Sequence, residues 1–138
     1  MAITNVAALG ARAATFVIAT DHAQGLSRSL AAGIAAVPAA WQAALVCLGD
    51  MPRVEPATLR ALAAVDGDAA VAVPVWAGQR GNPVRWGRAH FAALMSLTGD
   101  TGGKTLLQAL PVIEVPASSD GVLLDVDTPA ALSALARR

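Results

Sequence analysis

The sequence predicts an α/β protein built on a mainly parallel sheet. Two observations carry that expectation. Short apolar, β-branched runs alternate along the chain with segments of helical character, the pattern of strands joined by crossover helices. The runs are apolar throughout rather than alternating with polar residues, as in strands covered on both faces. Composition adds a third point: with 33 alanines in 138 residues and 4% aromatics, a helix-rich protein is expected, with a core of Val, Leu, Ile and Ala.

In order, residues 15–20 (TFVIAT) read as a buried strand and residues 21–25 as a loop. Residues 27–36 read as a helix with Ser27 as its cap. Residues 43–48 (AALVCL) form a second buried strand, ended by Gly49-Asp50-Met51-Pro52. Residues 55–65 read as a helix with Pro56 in the first turn, where proline is tolerated. Residues 69–75 (AAVAVPV) give a third strand, 78–83 a turn-rich loop, 84–86 resumed extended chain and 88–97 a helix. After the glycine-rich residues 99–103 come a helix (104–110), strands at 112–115 and 122–126, and a closing helix (129–138). The length suits one domain spanning 1–138.

Several function classes are excluded. Formal charge is zero and Lys104 is the single lysine, unlike a nucleic-acid-binding module. Cys47 is the single cysteine, so neither an internal disulfide nor a cysteine-built metal site exists. It fits a reducing cytoplasm and reads as an inert strand residue. Residues 29–49 carry no charge and are long enough to test as a membrane span, but Pro38 and Gln42 interrupt them, and no membrane association is expected. Residues 1–14 lack the basic start of a signal peptide.

Three places can carry chemistry. Asp50 follows a buried strand, at the carboxyl edge of the sheet where ligands bind in such folds. A carboxylate there suits Mg²⁺, though a turn or capping role fits equally. Asp125 and Asp127 flank Val126 and point the same way in extended chain. Asp127 or Thr128 can equally cap the last helix ahead of Pro129. The loops Gly78-Gln79-Arg80-Gly81-Asn82-Pro83 and Gly99-Asp100-Thr101-Gly102-Gly103-Lys104 offer backbone N–H groups and a cation to an anion. Neither matches a dinucleotide or phosphate-loop fingerprint. No second histidine gives His22 a metal partner, and His90 reads as a surface residue.

Taken in order, five segments resemble the MobA-like nucleotidyltransferases, and within them the molybdenum cofactor cytidylyltransferases. They are Gly25-Leu26-Ser27-Arg28-Ser29-Leu30-Ala31-Ala32-Gly33, Leu48-Gly49-Asp50-Met51-Pro52, Gly78-Gln79-Arg80-Gly81-Asn82-Pro83-Val84, Gly99-Asp100-Thr101-Gly102-Gly103 and Leu124-Asp125-Val126-Asp127-Thr128-Pro129. Each is short, but the ordered set spans about residues 15–136. The resemblance implies a Rossmann-like three-layer nucleotidyltransferase fold and Mg²⁺-dependent transfer of CMP from CTP to the phosphate of molybdopterin, releasing pyrophosphate. On the matching positions it makes Asp50 and Asp127 catalytic, and Asp50 a metal ligand with Asp127 or Asp125 as the second acidic contributor. It places Ser27, Ser29, Leu30, Gly49 and Asp50 against the nucleotide, and Arg80, Gly81, Asn82 and Pro83 against the acceptor. CTP or another nucleoside triphosphate and a molybdopterin-type acceptor are the implied partners, with association to a molybdoenzyme or a self-dimer left open.

The family opens with a strand and a loop of the type LAAGxSxRMGxxK that cradles the triphosphate. Residues 1–14 (MAITNVAALGARAA) do not match it; Gly10-Ala11-Arg12 has one glycine and no lysine. The expectation is therefore an N-terminally truncated domain, weak in transfer by itself. Two alternatives stand beside the cytidylyltransferase: a non-catalytic fragment or subunit of one, and a nucleotidyltransferase with another acceptor such as a sugar phosphate.

Overall fold

A computed structural model describes residues 14–100 and 102–137. The readings of residues 1–13, Gly10-Ala11-Arg12 among them, and of Thr101 and Arg138 lie outside the described residues. The chain forms two compact units, one from the described residues up to Ala40 with His90–Ala109, the other from Trp41–Ala89 with the described residues from Leu110.

The first unit is helical. Helix α1 (Leu26–Ala35) packs on α3 (Phe91–Met95), with Ile34, Phe91 and Leu94 buried, and α4 (Lys104–Ala109) follows the glycine-rich loop. Ser27 is not the cap of α1. The cap residue is Gly25, and the orphan N–H of Leu26 donates to the Asp100 carboxylate at 3.1 Å. The Ser27 N–H donates to the Gly99 carbonyl at 3.1 Å. In return Arg28 Nη2 donates to the carbonyls of Met95 (3.1 Å) and Leu97 (2.6 Å) at the end of α3. Arg28 of α1 thus serves the carboxyl end of α3, and the loop after α3 serves the amino end of α1, a need every helix end has. Gly25 is obligatory here: φ is +121° and a Cβ would stand 2.6 Å from the Gly99 oxygen.

Residues 15–19 are irregular and not a strand, with Phe16, Val17 and Ile18 exposed. An apolar run becomes a strand only where a neighbour completes its ladder, and no described residue does so.

The second unit holds the sheet. Its strands are β1 (Ala43–Val46), β2 (Val71–Trp76), β3 (Gln79–Arg80), β4 (Val84–Gly87) and β5 (Ile113–Pro116). β1, β2 and β5 run one way; β4 is antiparallel between β1 and β2, and β3 is the return of a hairpin from β2. The α/β expectation holds, as an open mixed sheet with a majority of its strands parallel in direction. The centre is β2, whose first four residues are buried. Helix α2 (Pro56–Ala63) packs on β2, β4 and β5 through Thr58 and Leu62. Thr58 Oγ1 accepts from the Ser118 N–H at 3.1 Å. Trp86 and, in the first unit, Phe91 join the core, so it is not purely aliphatic.

Pro74 shows why the sheet opens toward one end. Proline has no N–H and belongs where a ladder is interrupted. Between the pairs Val75–Arg80 and Ala72–Arg85, residues 73–74 face residues 81–84. The returning chain is therefore bulged opposite Pro74, and bulges re-aim side chains beside functional sites. The Gly81 N–H donates to the Pro74 carbonyl at 2.8 Å, and Asn82–Pro83 is a cis peptide.

Residues 122–126 are likewise not a strand. Asp120–Leu123 is a 3₁₀ turn started by Ser119, whose hydroxyl accepts from the Gly121 N–H, and extended chain follows from Leu124. The local Ser-Ser-Asp-Gly sequence competes with strand formation through such side-chain to backbone bonds. Helix α5 (Pro129–Ala136) then begins at Thr128, whose hydroxyl accepts from the Ala131 N–H. Among the described residues no helix is long and apolar enough to cross a membrane.

Candidate functional site

β1 ends at Val46, and the chain turns at once. The Met51 N–H donates to the Leu48 carbonyl, a β-turn with Gly49 and Asp50 at its centre. Met51 is buried and anchors the turn, while Asp50 is exposed. The extended segment after Leu123 is tied to this turn by one bond, from the Val126 N–H to the Asp50 carbonyl at 2.7 Å. Asp125 and Asp127 flank the donor and share a side of the extended chain. Carboxylate oxygens of Asp50, Asp125 and Asp127 consequently all lie within 4.8 Å of one another, exposed to solvent.

Three like charges so close repel, by about 1 kcal/mol per pair in water and more near a protein surface. Among the described residues none of the three has an ion-pair partner. Hard oxygen donors converging without an ion-pair partner among the described residues suit a divalent cation such as Mg²⁺ or Mn²⁺.

The bulge lines a cleft with two of these aspartates. Asp50 and Asp125 line a cleft of about 200 Å³ together with Arg80, Gly81, Asn82, Leu48, Met51, Val122 and Leu123. Gly81 approaches the chain so closely that a Cβ would stand 2.2 Å from the Val122 oxygen. That oxygen accepts the Asn82 N–H at 2.9 Å, fixing the bulge to the segment that carries the aspartates. Arg80 is bound by its Nε to Glu114 Oε1 at 2.7 Å. A second cleft of about 140 Å³, mostly apolar, shares Leu48, Met51 and Asn82 with the first and is also lined by Cys47, Val54, Leu59 and Pro83.

Of the residues picked out from sequence, the fold brings Asp50, Asp125, Arg80, Gly81 and Asn82 to one cleft, with Asp127 in the carboxylate cluster and Pro83 in the adjoining cleft. Gly49 forms the turn. Ser27, Ser29 and Leu30 belong to α1 in the other unit, where Ser27 is fully buried and its hydroxyl has no hydrogen-bond partner among the described residues. Cys47 is exposed just beyond β1 rather than inside a strand. Partial desolvation nevertheless raises its thiol pKa. His22 bonds through Nδ1 to the Ala19 carbonyl in the first unit. The loop at Gly99-Asp100 uses its Gly99 carbonyl and Asp100 carboxylate to accept from the first N–H groups of α1. Glu114 was not singled out from sequence; only strand register pairs it with Arg80.

The sequence profile of the MobA-like NTP transferase domain matches residues 3–115. The chain belongs to that family. The match includes Asp50, Arg80 and Glu114 and ends before Asp125 and Asp127. Similar solved structures are Rv0371c of Mycobacterium tuberculosis H37Rv, at 32% identity and TM-score 0.72 over 81% of this chain and 60% of that one, and its complex with manganese, at 33% identity and TM-score 0.70 over 80% and 60%. The Rv0371c homolog of Mycobacterium sp. strain JC1 matches at 28% identity and TM-score 0.68, over 78% of this chain and 55% of that one. The chain therefore spans about 60% of the length of the Rv0371c structures. No curated protein matches it.

Proposed function

We propose that this MobA-like domain is the cation and acceptor part of a cytidylyltransferase that moves CMP from CTP to the phosphate of a molybdopterin-type acceptor. An acceptor phosphate oxygen attacks the α-phosphorus, the bond to the β-phosphate breaks, and pyrophosphate leaves. The observation that carries the reading is one cleft lined both by Asp50 and Asp125 and by Arg80, Gly81 and Asn82. Such transfer needs positioning and charge neutralisation more than a protein nucleophile, and the cleft offers those.

Asp50, Asp125 and Asp127 would hold Mg²⁺ or Mn²⁺, and the structure of Rv0371c with manganese supports a divalent cation in this family. When bound, the cation supplies charge neutralisation for phosphate oxygens. Arg80 and the Asn82 side of the bulge orient the acceptor phosphate. Of the α1 residues that match the motif, Ser29 and Leu30 are assigned to the nucleobase, while Ser27 is fully buried.

A second reading, a fragment or subunit with little transfer of its own, draws on the 60% coverage of the Rv0371c chain. One experiment separates the readings. The full chain is titrated with Mn²⁺, and its thermal midpoint is followed with CTP, GTP and ATP in Mn²⁺ and Mg²⁺. Pyrophosphate release is measured with phosphorylated pterin and sugar phosphate acceptors. Mn²⁺ binding weakened at least tenfold by Asp50→Asn, with CTP stabilising most, is the expected result. Equal stabilisation by GTP removes the cytidylyl assignment. Weak pyrophosphate release is expected of this chain alone; rapid release would discard the second reading.

A further inference from the structure

We propose that Glu114 is a positioning residue for Arg80, holding its guanidinium off the aspartate cluster and presenting it to an anionic oxygen in the cleft. The proposal rests on the reading of Asp50, Asp125 and Asp127 as a cation site.

Register sets the pair up. Arg80 on β3 stands opposite Val75, and Glu114 on β5 stands opposite Val73. Both partners lie beside β2, on its two sides, and positions 73 and 75 share one face of the strand. The ion pair therefore spans β2 and closes at 2.7 Å. Both side chains are about half exposed, and exposed ion pairs contribute little to folding. The geometry points to a different use. The bond engages Nε, and among the described residues Arg80 makes no other hydrogen bond, so neither Nη nitrogen is engaged by them. A guanidinium presented in this way can meet two oxygens of a phosphate.

The alternative partners are close at hand, because the cleft lined by Arg80 is also lined by Asp50 and Asp125. A guanidinium resting on those carboxylates would compete with a divalent cation for the same oxygens. Glu114 gives Arg80 a carboxylate of its own on the far side of β2, so cation and guanidinium occupy one cleft without cancelling each other.

The test is a thermodynamic cycle on the full chain, with Mn²⁺ alone as the first probe and inorganic pyrophosphate at saturating Mn²⁺ as the second. Glu114→Ala is expected to weaken Mn²⁺ about fivefold, the scale of one exposed ion pair. Glu114→Gln is expected to recover part of this loss, because its amide oxygen still accepts from Nε. In an Arg80→Ala background the Glu114→Ala effect is expected to vanish, since the competitor is gone. Pyrophosphate affinity should fall in both single variants, with unfolding midpoints unchanged. An unchanged Mn²⁺ affinity in Glu114→Ala, or the same loss with and without Arg80, overturns the positioning role and leaves the cation site standing. A wild-type chain that binds no Mn²⁺ overturns the cation reading, and this proposal with it.

Discussion

The backbone N–H of Val126 donates to the carbonyl of Asp50 at 2.7 Å, and this bond sets the spacing of three carboxylates. Val126→Pro removes the donor while leaving every aspartate in place. Mn²⁺ affinity is expected to drop at least tenfold, about what a lost backbone bond with an unpaired carbonyl costs. An electron paramagnetic resonance titration, with circular dichroism as the folding control, measures it. Unchanged affinity would show that the aspartates find their spacing without the bond.

Gly81 is a position where no side chain fits. A Cβ would meet the Val122 oxygen at 2.2 Å and its carbonyl carbon at 2.8 Å, and both atoms are backbone, so neither can swing aside. Gly81→Ala is expected to cost about 2 kcal/mol and to break the Asn82–Val122 bond. Urea denaturation reads the first effect and amide exchange at Asn82 the second.

The β2–β3 hairpin turns on Ala77 and Gly78, with φ of +48° and +77°. This is a two-residue turn of the primed kind, for which Asn-Gly is the favoured sequence. Alanine pays for its Cβ in the left-handed region. Ala77→Asn is expected to stabilise the protein by about 0.5–1 kcal/mol. A denaturation midpoint at or below that of the parent would contradict the turn assignment.

Cys47 is exposed yet carries a thiol pKa raised by partial desolvation. A raised pKa means less thiolate at neutral pH, and the thiolate is the nucleophile. Iodoacetamide should therefore react slowly at pH 7, with the rate rising above the ordinary thiol range near 8.5. A half-maximal rate below that range would reverse the sign of the effect. Because Cys47 lines the cleft that shares Asn82 with the aspartate cleft, alkylation also reports on a ligand seated there.

Much of the fold was legible in local pattern. The apolar runs at β1, β2 and β5, Pro56 at the start of α2 and Thr128-Pro129 at the start of α5 all sit where their local chemistry places them. Asp50 and the 125/127 pair were legible as well, since each follows an apolar run. Features made by long-range register were not. The run at 15–20 has strand composition but no ladder among the described residues, and the stretch at 122–126 lost its first half to a serine-led turn. The cap of α1 comes from Asp100, over seventy residues away, whereas Ser27 satisfied only the local rule. Pro74 inside an apolar strand, with glycine and proline shortly after, was the available signal for the bulge. The partnership of Arg80 with Glu114 leaves no trace in either segment alone.

The single bond between Val126 and Asp50 joins positions roughly seventy-five residues apart in the chain. A cation held by carboxylates from both ends of that span would act as a reversible crosslink. Linkage then requires that the cation favour the docked state of the C-terminal segment by RT ln(1 + [L]/Kd). Limited proteolysis near residues 124–128 would slow as the cation concentration rises. The integrity of the tail thus becomes a readout of metal occupancy that requires neither nucleotide nor turnover.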